Sequence, residues 1–384
     1  MKLFECQNCG QLLYFENTRC ERCGHVLGYL PDGAVLSALA EEDSDRWRPL
    51  IAPEQVYRFC ANAAHRACNW LVPGEAPDAF CQACRLNRTI PDLGPPEHLL
   101  RWQRLEAAKH QLVYSLLRLG LPLVSKFEDP DMGLAFDFLA DPVTESPEPP
   151  KILTGHEHGL ITINIAEADD AERERARHAM GEPYRTLLGH FRHEVGHHYW
   201  ERLVRDGQWL AGFRTMFGDE RQDYGACLEE HHAKGPSPAW QERFVSGYAS
   251  AHPWEDFTET WAHCLHIVDT LETAAAFGLR IAPMAGRAPG LAMEIDFDAY
   301  RQNDFDALLK AWLPLTYAVN SLNHSMGQPD LYPFVLAPAV IGKLRFVHGL
   351  IHQAASEAAA SSRVVPPRNH RLWGTEAPFA TALD

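Results

Sequence analysis

Residues 187–200 read L-L-G-H-F-R-H-E-V-G-H-H-Y-W, and within them His193, Glu194 and His197 form the pattern H-E-x-x-H. This stretch constrains the fold more than any other. The two histidines share a face only if the segment is an α-helix, where residues four apart stand one above the other. On such a helix His193 and His197 can hold one zinc ion while Glu194 points at the water bound to it. Zinc lowers the pKa of that water to about 7, and the carboxylate takes its proton during attack on a carbonyl. The alternative is an ordinary histidine-rich helix, since the chain has 20 His in 384 residues. Against it, Leu187, Leu188 and Phe191 supply the apolar positions of a buried helix. The small pair Val195-Gly196 suits a helix whose metal face is crowded.

A hydrolytic site with one zinc needs a third protein ligand and an open position. Residues 248–263 read Y-A-S-A-H-P-W-E-D-F-T-E-T-W-A-H and offer Glu255 and Glu259, four apart on one helical face. One can bind the metal, and the other can accept a hydrogen bond from the far nitrogen of a ligating histidine. Pro253 suits the start of this helix. A solvated acidic first turn is the alternative. Phe257, Trp261, Leu265 and Ile267 make the following helix apolar, which turns these carboxylates inward. His231-His232 are a rival source of the third ligand. They rank below Glu255, because a helix-borne E-x-x-x-E supplies ligand and hydrogen-bond partner together.

Eight of the ten cysteines fall into two sets of four, with Cys227 and Cys264 left over. Cys6-x-x-Cys9 and Cys20-x-x-Cys23 have zinc-knuckle spacing, each followed by a glycine, Gly10 and Gly24, that frees the backbone to turn. Residues 11–16 read as a short strand and Asn17-Thr18 as a turn, so 1–30 is expected to be a zinc ribbon, which cannot build a core of that size without its metal. Cys60, Cys68, Cys81 and Cys84 form the second set, with a less regular spacing in which His65 could replace one cysteine. Four thiolates closing a second structural zinc are preferred, in a module spanning 31–95. Neither set leaves an open position for chemistry.

The formal net charge of -16 disfavours nucleic acid and anionic membranes as partners. Lys2, Arg19 and Arg22 are the only basic residues in 1–30, too few for a nucleic-acid surface. The longest apolar stretch, 331–341, is short and broken by Pro333 and Pro338, so no membrane span is expected. The first residues lack the apolar stretch of a secretory signal, and cysteines paired for zinc rather than disulfides fit a reducing cytoplasm.

Along the rest of the chain, 98–119 has apolar residues at helical spacing and is stopped by Gly120 and Pro122. Glu106 and Lys109 on it read as a surface pair. Residues 135–139 and 159–165 read as strands, with 147–150 a loop between them. The 160–165 strand is expected to be a sheet edge to which an extended peptide could add. Residues 167–177 read as a solvated charged face, and 207–234 as a cleft wall. Helices are expected at 261–279, 305–313, 318–326 and 340–354, with Pro314 breaking the middle pair. From 356 to 384 alanine, serine and proline dominate, and a mobile tail is expected.

H-E-V-G-H followed by E-D-F-T-E resembles the gluzincin metallopeptidases, in which a Glu from a second helix completes the zinc site, and the E-x-F-x-E part is similar to that of lethal-factor-type toxins. With R-L-N-R-T-I-P-D-L from Arg85, G-L-I-T-I-N-I from Gly159 and P-W-E-D-F from Pro253, the chain resembles, over all but its last thirty or so residues, a bacterial family of zinc-binding metallopeptidases with an N-terminal zinc ribbon. The resemblance implies a zincin fold and peptidase-like hydrolysis, with Glu255 as third ligand and Glu259 orienting a ligand histidine. It also implies that Tyr248, seven residues before Glu255, donates to the oxyanion; a buried structural tyrosine is the other reading. The expected fold is thus α+β: a zincin-like metallopeptidase domain at 96–355 with a largely helical lower lobe, behind two small zinc-binding modules. The expected function is hydrolysis of an amide bond, peptide or isopeptide, in a peptide or protein substrate, with a peptide-tagged protein among the candidates, using one catalytic and two structural zinc ions. The competing class is a zinc-ribbon adaptor with a vestigial metal site, and an intact Glu194 argues against it.

Overall fold

The computed structural model describes residues 1–142, 151–180, 185–284 and 289–364. The expected loop at 147–150 and the chain beyond 364 lie outside the described residues.

The first cysteine set caps a two-stranded ribbon, β1 (Phe4–Glu5) paired antiparallel with β2 (Leu12–Leu13). Gly10 and Gly24 adopt φ +70° and +78°, the left-handed turn that follows each knuckle. Five antiparallel strands come next, in sheet order β3 (Leu27–Leu30), β4 (Val35–Asp43), β5 (Arg46–Pro49), β6 (Tyr57–Phe59) and β7 (Leu71–Pro73). This sheet runs across residue 30 and joins the segment of the first cysteine set to that of the second. Its aromatic residues fasten it to the rest of the chain. Tyr29 packs 4.7 Å from Trp70 and 4.8 Å from Phe15, and Phe15 meets Tyr114 of the long helix at 5.4 Å.

Strand β8 (Asn87–Thr89) leads into helix α1 (Pro96–Leu119), which ends at Gly120 in the left-handed conformation. A second, mixed sheet has the order β10 (Gly155–Glu157), β11 (Leu160–Asn164), β9 (Ala135–Leu139), β8. Strands β8, β9 and β11 are parallel, and β10 is antiparallel to β11. Two expectations change here. The 160–165 strand is not an edge, because β9 and β10 pair with both its sides; the hairpin turn at His158-Gly159 adds the short strand β10 outside it, and β10 is the edge. Glu106 and Lys109 are not a surface pair, because both side chains are fully buried. The face of α1 that carries them meets the sheet, where Asn87 of β8 donates to Glu106 and Lys109 lies over the Phe136 and Phe138 rings of β9, and Cys84 adjoins Glu106; the period of a single helix does not reveal what covers such a face.

The remainder is helical: α2 (Asp170–Met180), α3 (Leu187–Leu203), α4 (Leu210–Phe217), α5 (Tyr224–Lys234), α6 (Pro253–Ala276), α7 (Phe305–Ser325) and α8 (Pro338–Val364). Helices α3 and α6 lie side by side, with Tyr199 stacked on Trp261 at 4.9 Å. Phe136 and Phe138 of the sheet meet Phe191 of α3. Pro314 does not divide α7, which runs unbroken through it. Proline removes one backbone hydrogen bond, but Leu308 and Trp312 before it and Leu315 after it are buried and hold both halves on one axis. Helix α8 likewise continues past 356, where a tail was expected. Among the described residues no helix is long and apolar enough to cross a membrane. The mixed α+β architecture with two four-cysteine clusters is the one expected from sequence.

Candidate active site

Helix α3 begins where the Thr186 side chain accepts a hydrogen bond from the Gly189 amide at 3.0 Å, an N-cap that satisfies an otherwise unpaired donor. Helix α6 begins at Pro253, behind His252, whose ring accepts from the Trp254 amide. These two starts fix the register of the facing helices. Gly196 on α3 packs closely on Thr258 of α6, where an added β-carbon would be in tighter than ordinary contact.

Where the helices touch, ligand atoms of His193, His197 and Glu255 all lie within 4.8 Å of one another. His193 Nε2 is 3.1 Å from Glu255 Oε2, and His197 Nε2 is 3.6 Å from Glu255 Oε1. Two ligands bound to one tetrahedral zinc at about 2.05 Å stand about 3.3 Å apart, so these separations fit a shared ion. Glu255 is fully buried, and its Oε2 has no hydrogen-bond partner. A buried carboxylate oxygen facing an imidazole nitrogen without bonding geometry suits a metal ion between them.

The far nitrogen of His193, Nδ1, lies 2.7 Å from Glu259 Oε1, the arrangement that fixes a ligand imidazole's tautomer and raises its basicity. Glu259 in turn accepts from the Ser246 hydroxyl at 2.6 Å. Glu194 is buried, with Oε1 3.1 Å from His190 Nε2. Burial alone would push the Glu194 carboxyl up, but the adjoining His190 ring, with the charges of His193 and His197, outweighs it and holds it down to about 2. Tyr248 faces the same cleft, its ring 6.0 Å from that of His193. Burial, reinforced by the charge of Glu255, pushes its phenol far above the ordinary value, so the hydroxyl keeps its proton. The cleft has a volume of 810 Å³ and is walled on one side by His231 and His232. These two line it without joining the cluster of His193, His197 and Glu255.

Sequence reading missed two partners. Tyr224, within the segment expected as a cleft wall, donates its hydroxyl to Glu255 Oε1 at 2.7 Å. Its only sequence signal was the preceding Asp223, which caps α5 and thereby aims it. Glu167 was expected on a solvated face; instead its Oε2 lies 2.6 Å from His190 Nδ1 within the cleft. It sits in the turn Ile165–Ala168 directly after β11, so the sheet carries it inward despite a charged neighbourhood.

The cysteine sets are each drawn together. Cys6 and Cys23 sulfurs are 3.6 Å apart, as are those of Cys9 and Cys20, and Cys68 and Cys81 are 3.7 Å apart. Four thiolates at about 2.3 Å from a tetrahedral zinc stand about 3.8 Å apart. The second set comprises Cys60, Cys68, Cys81 and Cys84; His65 instead faces Trp102. His110 Nε2 approaches Cys84 Sγ at 3.6 Å, while its Nδ1 meets the Glu106 carbonyl oxygen at 2.6 Å. The buried Lys109 and His110 thus stand beside thiolates whose complex with zinc would be anionic.

Residues 98–350 match the family described as "Putative zinc-binding metallo-peptidase", and residues 3–95 match a zinc-ribbon domain. Among the curated relatives are a Mycobacterium bovis protein and proteins from two Mycobacterium tuberculosis strains, CDC 1551 / Oshkosh and H37Rv, all carrying the description "Uncharacterized protein". Each is 42% identical over 368 residues, covering 95% of this chain and 100% of the relative. No solved structure matches. With the family profile spanning most of the chain and the relatives spanning nearly all of it, the chain belongs to this family of zinc-binding metallo-peptidases, with a zinc-ribbon domain in front.

Proposed function

We propose that the protein is a zinc-dependent hydrolase that cleaves an amide bond, peptide or isopeptide, in a peptide or protein substrate. The observation that carries this reading is the convergence of His193, His197 and Glu255 on one point, with the carboxylate of Glu194 in the same cleft. A zinc ion there supplies a Lewis acid that polarises a carbonyl and lowers the pKa of a water molecule. In the proposed reaction Glu194 takes a proton from the attacking water molecule as the water oxygen bonds to the carbonyl carbon. It then gives the proton to the departing nitrogen as the C–N bond breaks. Tyr248 donates a hydrogen bond to the oxyanion and keeps its proton. Glu259 and Tyr224 hold His193 and Glu255 in orientation.

The substrate is proposed to lie extended along β10. Among the described residues this strand pairs only with β11, and its His156 ring lies parallel to that of His197 at 5.8 Å. Chemistry is assigned to 96–355. The two cysteine sets would each hold one structural zinc, scaffold the sheet behind α1, and keep their thiolates in a reducing, cytoplasmic setting.

A panel of linear and isopeptide-branched peptides tests the reading with wild type and Glu194→Gln. The variant should keep its zinc and lose turnover; most of the activity persisting in it would refute the mechanism.

A further inference from the structure

His190 stands one turn before His193, so residues 190–197 read H-x-x-H-E-x-x-H. On the helix His190 and Glu194 share one face, and His193 and His197 share the next. Both ring nitrogens of His190 are engaged: Nε2 lies 3.1 Å from Glu194 Oε1 and Nδ1 lies 2.6 Å from Glu167 Oε2. Glu167 sits in the turn Ile165–Ala168 after β11, and its other oxygen accepts from the Thr154 hydroxyl. Three separate segments therefore form one line of contacts that ends on the base. An exposed i,i+4 pair on a helix would stabilise it only weakly and would need no third segment. This one is inside the cleft, largely buried and anchored to the sheet.

We propose that His190 is a positioning residue for Glu194. Held from behind by Glu167, it occupies Oε1 and fixes the carboxylate so that Oε2 alone serves as the base. The proposal rests on the zinc-hydrolase reading above. A general base must stay within hydrogen-bond reach of its proton, and a misplacement of about 1 Å costs up to about 100-fold in rate. A carboxylate on a flexible Glu stem needs such a clamp.

The test is a double-mutant cycle on zinc-loaded full-length protein: wild type, His190→Ala, Glu194→Ala and the double variant. The readout is acetohydroxamate binding by calorimetry, which requires the metal and a placed carboxylate but no turnover. His190→Ala should weaken binding about tenfold, because the carboxylate loses the charged contact that holds its Oε1. The double variant should bind no worse than Glu194→Ala, because His190 acts through Glu194. Additive losses, or an unchanged affinity in His190→Ala, overturn the proposal. Glu167→Gln and His190→Gln carry the same cycle should His190→Ala fail to fold. On a cleaved peptide His190→Ala should lower kcat about 10–100-fold with KM within about twofold. Wild type that binds acetohydroxamate but cleaves no peptide removes the hydrolase reading and leaves the cycle to decide His190. Wild type that cleaves while the losses add removes this proposal alone. Zinc-loaded wild type that neither binds acetohydroxamate nor cleaves a peptide overturns both, and one that cleaves without binding it leaves the kcat of His190→Ala to decide, an unchanged kcat overturning the proposal.

Discussion

Gly196 of α3 and Thr258 of α6 are packed backbone to backbone: a β-carbon on Gly196 would lie 3.1 Å from the Thr258 Cα and 3.2 Å from its Cβ and methyl group. This contact sets the gap across which His193 and His197 face Glu255.

Gly196→Ala should therefore force the two helices apart. Overpacking of this kind costs about 1–3 kcal/mol, and the separation falls directly on the three proposed ligand residues, His193, His197 and Glu255. The expected result is a lower melting temperature together with loss of the zinc that depends on Glu255. Calorimetry and metal analysis check both.

Zinc content separates the roles of the two carboxylates on α6. Wild type should carry about three zinc ions per chain and Glu255→Ala about two. Glu259→Gln should keep three at saturating zinc but bind the catalytic ion or turn over about 10–100-fold more weakly, because only the support of His193 is altered. About two ions in both wild type and Glu255→Ala would favour the adaptor reading.

The His190 contacts predict a pH dependence. Burial works against the His190 imidazolium, but the carboxylates of Glu167 and Glu194 outweigh it and hold its pKa up to about 9. A raised value means that the stabilisation is fully present below the unfolded pKa of about 6.5 and is lost as pH rises through about 9. Glu194 faces the ring from α3 and Glu167 from the turn after β11, with Arg185 3.8 Å beyond Glu167. The melting-temperature gap between wild type and His190→Ala should thus narrow between about pH 7 and about pH 10. An equal gap at both would contradict it.

Lys109→Met should be costly. Lys109 Nζ lies 2.8 Å from Glu106 Oε1, and both side chains are fully buried. Removing one partner of a buried ion pair costs about 3–5 kcal/mol, because the other charge is left uncompensated. Denaturant unfolding should register that loss, and zinc retention by the second cysteine set should weaken with it.

The local patterns of this chain were legible because local geometry alone enforces them. The H-E-x-x-H spacing demands a helix, and α3 is one; the paired cysteines with following glycines demand knuckles; and the run ending at Gly120 demands a stop there. E-x-x-x-E spacing likewise put Glu255 and Glu259 on one face of α6. What lies opposite a face is a different matter, set by elements distant in the chain. That is why Glu106 and Lys109 read as exposed and Glu167 as solvated, why Tyr224 went unnoticed, and why the 160–165 strand read as an edge. Pro314 belongs with these: its missing hydrogen bond is a local fact, whereas the packing that keeps α7 straight through it is not. Sequence determined which residues could share a face and which chemistry they carry. Tertiary packing decided what each face meets, since burial and pairing depend on partners that no local period encodes.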